Sequence, residues 1–599
     1  MKKCFFLFLL ASVVTFGQYY NERTTAENFE YSNIHFKSYY LNPYGLAGFK
    51  EIAAGFISDP FLKLKINPAN LPEMEESDLL FYLDFRGDWT EADYYDGYAV
   101  PTFSERIAYP YYTPDRRWNS LSRTEPEPIV SLGFISRPIS EITDKFYLGG
   151  SYEYLRKNES YNEFPYGIYY YNYYYDALGY RTGSEYSSPS VYRYLGADEL
   201  TNNGHFFSLF AGLEISDDIK IGVGMNGVVH TRDGKYANTY RDEYSSTGEG
   251  DWSSAQSVGR EQKYDHLDFT AGVKYKLTKT LSLGFKAGML NGTADQSYEA
   301  YNYYYSQNNK PDTSSTWYYY FSDGSTSQTW TLDGKTTYIG FDFQKSFRGG
   351  KELHGYYKYS YSGLDLNTFS SINDTNRSSS RSQYISDWYM YKGHSAARDN
   401  RTGRGERNIK SHEGVLNFRW NLTGRSSLSA GVYYNMVSTT VDTREPVKAY
   451  RVSDYTNSSS GGSNSNYFLK LIEDKTLVWN YTSEYTTLQI PVIFCTQLGE
   501  RWEMLIGVAR ISNAWNIEES TSAYFTKRER TDADTSKIET DFSEKYLYPD
   551  KKLTEDLARF MMQFKMNITG DLSARVMFEP SFDPYIRVAQ WWLAFEARL

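Results

Sequence analysis

Residues 218–230 read DIKIGVGMNGVVH. In an extended chain successive side chains point to opposite faces. Ile219, Ile221, Val223, Met225 and Val229 therefore share one face, and Lys220, Gly222, Gly224 and Asn226 share the other. Residues 280–290, TLSLGFKAGML, repeat the pattern, with Leu281, Leu283, Phe285, Ala287 and Met289 set against Ser282, Gly284, Lys286 and Gly288. VLNFRWNL (415–422), SLSAGVYYNMV (427–437), WEMLIGVA (502–509) and FMMQFKMNI (560–568) behave alike. Alternation sustained over about ten residues is the signature of a membrane-barrel strand. A soluble sandwich also alternates, so the spacing of strands has to decide.

Strands come in pairs joined by very short turns: PISEITD, ISDD, LTKT, SFRGG, LTGRS, QLGER and ITGD. Between the pairs lie polar inserts of roughly 30–50 residues, well beyond usual connection lengths. Short turns at one end and long connections at the other are the asymmetry of an outer-membrane barrel, and a sandwich has no reason to sort its loops so. Seven hairpins, with LLFYLDFR at one end and the C-terminal segment at the other, predict an all-β, closed, antiparallel transmembrane barrel of about 16 strands, with 14 as the alternative. Long extracellular loops are expected. The last residues, RVAQWWLAFEARL, place Ala589, Trp591, Leu593, Phe595, Ala597 and Leu599 on one face, like the terminal assembly strand of such barrels.

The N-terminus, MKKCFFLFLLASVVTFGQ, has a charged start, an apolar run and small residues before Gln18. It reads as a secretory signal peptide over residues 1–17. Its removal leaves Cys495 as the single cysteine, so no intramolecular disulfide and no paired-cysteine metal site is expected. It also removes Lys2 and Lys3, taking the formal charge from −11 to −13. An acidic chain is a poor partner for nucleic acid. Mean hydropathy is −0.61, and no mature segment approaches the roughly 18 apolar residues of a membrane helix. A chain of this kind spans a bilayer only as a closed barrel.

The chain contains 60 tyrosines, concentrated in stretches such as FPYGIYYYNYYYDALGY (164–180) and SYEAYNYYYSQ (297–307). Aromatic girdles at the two interfaces account for some of them. The remainder imply strands and loops that continue beyond the bilayer and pack on one another, or a stacking platform for glycan or apolar ligand. Motifs for nucleophilic, metal or phosphate chemistry do not occur, and the seven histidines are scattered. No enzyme activity, cofactor or metal is expected. Glu503, Lys565, Asp268, Lys274 and Arg419 face the predicted lumen, where a solvated or ion-paired interior is the simplest role.

Residues 18–78 do not alternate. AAGFISDPF reads as a short helix ended by Pro60, and INPANLP as a turn-rich stretch. Gly45, Leu46, Ala53, Ala54 and Gly55, then Asn67-Pro68-Ala69, then LLFYLDF resemble the start of FadL/TodX outer-membrane transporters and, more distantly, PorV-type barrels. The next hairpin, IVSLGFISRPISEITDKFYLGGSYEYL, is similar in turn length. The resemblance implies an N-terminal plug over residues 18–78, carrying the Asn67, Pro68, Ala69 motif, inside a barrel of residues 79–599 in the outer membrane of a Gram-negative bacterium. It further implies passive entry of hydrophobic or amphipathic small molecules past lipopolysaccharide, with a bend at Gly149 and Gly150 in the third strand as the candidate lateral gate. Other readings are a PorV-like partner for a surface or secreted protein, and a glycan-binding adhesin.

Overall fold

The structure, a computed structural model, describes residues 38–44, 53–73, 79–92, 128–137, 145–160, 167–175, 181–192, 195–244, 250–308, 317–384, 387–462, 464–547, 551–580 and 586–599. The signal peptide, Gly45, Leu46 and the turn PISEITD lie outside them, as do the side chains of the 164–180 tyrosines.

After a helical turn at Ala53–Phe56 come one helix, α1 (Pro60–Ile66), and a 3-10 turn at Pro68–Glu73. Everything that follows is strand. The first six are β1 (Leu79–Ala92), β2 (Val130–Ser136), β3 (Phe146–Ser160), β4 (Gly167–Tyr175), β5 (Arg181–Tyr192) and β6 (Leu195–Ser216). Then come β7 (Ile219–Tyr244), β8 (Gly250–Thr278), β9 (Leu281–Asn308), β10 (Trp317–Phe347), β11 (Lys351–Tyr384) and β12 (Asp387–Thr423). The chain finishes with β13 (Ser426–Ser459), β14 (Asn464–Gln497), β15 (Trp502–Asp532), β16 (Ser536–Leu547), β17 (Lys551–Asn567), β18 (Leu572–Pro580) and β19 (Ile586–Arg598).

The sheet closes on itself. β1 pairs antiparallel with β2 on one side and with the C-terminal β19 on the other. β15 branches: its first half, Trp502–Ile517, pairs with β17, and its second half carries β16. Of the 17 strands in the sheet, β16 hangs outside the ring, so the ring passes through sixteen. β4 and β5 form a separate two-stranded ribbon. The six expected short turns within the described residues all fall between consecutive strands.

Alternation sorts the two faces as the sequence requires. Ile221, Val223, Val229, Phe269, Phe285, Ile339 and Phe341 are exposed on the outside, while Asn226, Asp268, Lys274 and Lys286 are buried on the inside. An apolar exterior around a polar interior inverts a soluble protein, because hydrocarbon is the solvent for the outer face.

The polar inserts depart from expectation. Most of their length is paired strand and not loop. β12 has 37 residues, whereas β2 has 7 and β18 has 9. A tilted strand crosses a bilayer in about 9–11 residues, and at about 3.3 Å per residue β12 runs about 120 Å. β8 to β15 therefore rise as a continuous wall beyond the membrane. Its inward side chains form a second core in which Trp330, Leu332, Leu364, Leu366, Ile409 and Trp479 are buried together. The rings of Trp330 on β10 and Trp479 on β14 stand 5.4 Å apart, edge to face. The wall thus curls tightly enough for strands four places apart to touch across its interior.

Candidate functional site: the interior segment and the groove beside it

The segment before the barrel lies inside the ring. Asp59 caps α1, its carboxylate accepting from the Phe61 amide at 2.9 Å and the Leu62 amide at 3.4 Å, and Pro60 occupies the first helical position. Proline suits that place because its missing N–H would be unsatisfied there anyway. Pro60 begins a helix here, and the expected helix before it is only the Ala53–Phe56 turn. A seven-residue helix is marginal alone, and Phe61, Leu62, Leu64 and Ile66 are all buried against the barrel wall or the rest of the segment.

The Asn67-Pro68-Ala69 triplet is the tightest contact. Asn67 is fully buried. Its amide nitrogen donates to the backbone oxygens of Val273 and Phe285, each at 3.3 Å, and to Asp342 at 3.0 Å. Its side-chain oxygen accepts from the Ala69 amide at 3.0 Å. Asparagine is the short side chain that offers two donors and an acceptor at once, so the triplet is both turned and fastened by one residue.

The wall beneath is shaped for it. Gly212, Gly222 and Gly272 stand directly across from one another on β6, β7 and β8. A Cβ at Gly222 would strike the Pro68 carbonyl, one at Gly272 would strike the Asn67 amide oxygen, and one at Gly212 would come within 3.0 Å of Pro72. This three-strand row of bare backbone is a seat for the segment. In the sequence Gly222 and Gly272 look like ordinary small positions in a curved strand. What marks them as a row is their register, which single-strand reading does not supply.

Polar clamps complete the attachment. Lys274 donates to Asn70 at 2.8 Å, Lys286 to the Lys65 carbonyl at 2.6 Å, and Asn417 to the Gly55 carbonyl at 2.8 Å. Arg86 binds Asp84 at 2.8 Å and Glu153 at 3.3 Å, and its guanidinium lies 3.7 Å over the Trp592 ring. Asp268 accepts from the Tyr338 hydroxyl at 3.0 Å, and Lys565 pairs with Glu596 at 3.5 Å. Of the lumenal charges expected from sequence, Lys274, Asp268 and Lys565 are thus bonded inside the barrel.

At Gly149 and Gly150, where a bend was expected, the pairing register is unbroken. β3 pairs with β2 and β6 through both residues without a register break. The two glycines answer different neighbours instead. A Cβ on Gly149 would lie 3.3 Å from Leu71 of the interior segment, and one on Gly150 would lie 2.8 Å from the Phe134 ring. Gly149 does line a groove of about 790 Å³ together with Phe134, Leu209, Val223, Phe269 and Met289. Because those five side chains are among the exposed apolar ones, the groove opens on the lipid-facing belt, and it lies one wall-thickness from Leu71. Among the described residues no cluster of histidine, cysteine and carboxylate could hold a metal.

No protein-family model matches the chain, and no curated protein matches it. Solved structures similar to it include a Pseudomonas aeruginosa FadL homologue, at 10% identity and a TM-score of 0.32, covering 94% of this chain and 100% of that one. The Ralstonia pickettii toluene transporter TbuX is similar at 9% identity and a TM-score of 0.30, covering 92% of this chain and 98% of that one. The Pseudomonas putida toluene transporter TodX is similar at 8% identity and a TM-score of 0.26, covering 91% of this chain and 94% of that one. With its sixteen-strand ring sealed by β1 and β19, its greasy face outward and its N-terminal helix within, the chain has the fold of a closed outer-membrane β-barrel.

Proposed function

We propose that this barrel admits hydrophobic or amphipathic small molecules across the outer membrane by passive diffusion, without catalysis. On this reading residues 1–17 direct export, residues 18–78 act as the plug, with Asn67, Pro68 and Ala69 as its anchor, and residues 79–599 form the conduit. The observation that carries the reading is the apolar groove at Gly149, which opens toward lipid while Leu71 of the interior segment backs the same glycine. A ring of sixteen strands left hollow would be a water-filled sieve. Filling it with α1 and its turns favours selective passage. An apolar solute gains about 25 cal/mol per Å² of surface moved out of water, so a lateral route into lipid favours it over an axial one. TbuX and TodX are toluene transporters, which is the same class of cargo. The test is uptake in a strain lacking the gene: entry that stays unchanged for every hydrophobic compound tried would defeat the proposal.

One observation favours a second reading, a platform that holds another protein at the cell surface. The β8–β15 wall is more than three bilayer crossings long at β12, which transport does not require. A stoichiometric protein recovered with the barrel, lost when the wall is trimmed, would support this reading over the first.

A further inference from the structure

Two strand pairs, separated in the ring by β7 to β10, repeat one outward-facing arrangement residue for residue. Leu148, Gly150, Tyr152 and Tyr154 of β3 occupy the same places, counted from the strand start, as Leu353, Gly355, Tyr357 and Tyr359 of β11. Each glycine stands across from a phenylalanine of the preceding strand, Phe134 or Phe343. Those rings lie 2.8 and 2.5 Å from where a Cβ would be. Each second tyrosine stands across from a histidine of the following strand, Tyr154 from His205 and Tyr359 from His412. Ring centroids there are 5.2 and 5.0 Å apart. The first tyrosine of each pair places its hydroxyl 2.8 or 2.7 Å from the histidine Nδ1.

Both clusters sit where the outer face changes character. Toward the short turns the outward side chains are Leu209 and Leu213 at the first site and Leu416, Phe418 and Trp420 at the second, all exposed. One outward step the other way stands an exposed cation, Arg156 on β3 directly across from Asn203, or Lys410 on β12 across from Tyr361 and two residues from Asn408. No carboxylate occupies the outward positions level with either cation; at the second site the next acids, Glu406 and Asp365, stand two outward steps beyond Lys410. With the hydroxyl donating to Nδ1, each imidazole carries its proton on Nε2, the second nitrogen across Cε1, which is left to donate elsewhere.

We propose that the two clusters seat the phosphorylated headgroup of an outer-leaflet lipid, one on each side of the barrel. Histidine Nε2–H and the neighbouring guanidinium or ammonium donate to the phosphate, and the acyl chains lie along the leucines and ring-covered glycines below. A headgroup at the hydrocarbon boundary meets charge above and apolar surface beneath, which is the order these side chains follow. The proposal rests on the outer-membrane placement and not on the transport reading.

The test uses the full chain, purified in detergent and shown to be folded by its heat-modifiable gel mobility, then titrated with bisphosphorylated lipid A and read by native mass spectrometry. Two lipids per barrel are expected. His205→Ala and His412→Ala should each weaken one of them about tenfold, the scale of one lost charge-assisted hydrogen bond. Arg156→Gln and Lys410→Gln, at exposed positions with no packing role, should act in the same direction. Tyr389→Ala, exposed and distant from both clusters, should retain two. The proposal is overturned if the double histidine variant still holds both lipids, if dephosphorylated lipid A binds equally well, or if inorganic phosphate binds while lipid A does not.

Discussion

Gly272→Ala places a methyl group where the Asn67 side-chain oxygen now lies. β8 is held on both sides by β7 and β9 and cannot retreat, so the interior segment must lift. Lifting it breaks the hydrogen bonds by which the two Asn67 amide hydrogens are shared among three acceptors of the wall. At about 0.5–1.5 kcal/mol net for each of the two donors, the loss is about 1–3 kcal/mol, or roughly 5- to 140-fold in the seated-to-lifted ratio. Hydrogen exchange reads this directly. The amides of Asn67, Ala69 and Asn70 are bonded within the segment and should exchange faster by that factor, while amides of β12 stay unchanged. Gly259→Ala, on the same strand with nothing within 4 Å of its added carbon, is the matched control. Equal exchange in both variants would mean that the glycine row does not seat the segment.

Three further outcomes are expected. Arg86→Met removes the cation paired with the buried carboxylates of Asp84 and Glu153 and should lower stability by about 3–5 kcal/mol, seen as a reduced urea midpoint for unfolding from detergent. Val223→Trp fills the lipid-facing groove from an exposed position, so hydrophobic uptake should fall while the folded gel mobility stays as in the parent. Joining Gly363 to Asn408, which are cross-strand partners, through a two-residue turn removes the upper part of β11 and β12. The membrane ring should still assemble and resist heat in dodecyl sulfate, and failure to insert would show that the wall is needed to build the barrel.

The membrane-embedded part was legible because lipid enforces a rule along each strand. Every second residue of 219–225 must be apolar, and the partner positions must suit the inside. Beyond the bilayer the rule lapses. β11 continues through SSINDTNRSSSRSQ (370–383) with small polar residues on both faces, since neither face meets hydrocarbon, and alternation no longer separates strand from loop. The interior segment was legible as an exception to the strand pattern. Its fastening was not, because Gly212, Gly222 and Gly272 become a row only when three strands are set in register. What surrounds Gly149 and Gly150 was not legible for a related reason. A glycine pair in a strand signals a missing side chain, and whether it produces a bend or receives a neighbour depends on Leu71 and Phe134, which are remote in sequence.

The tryptophan-lined core above the bilayer has a consequence for the cell as a whole. An outer membrane protects only while its pores exclude bulky antibiotics and detergents. Here the seated helix fills the ring within the membrane, and the edge-to-face contact of Trp330 and Trp479 joins opposite strands of the wall outside it, at two separate heights. The two are held by separate sets of residues, so loosening one does not by itself loosen the other.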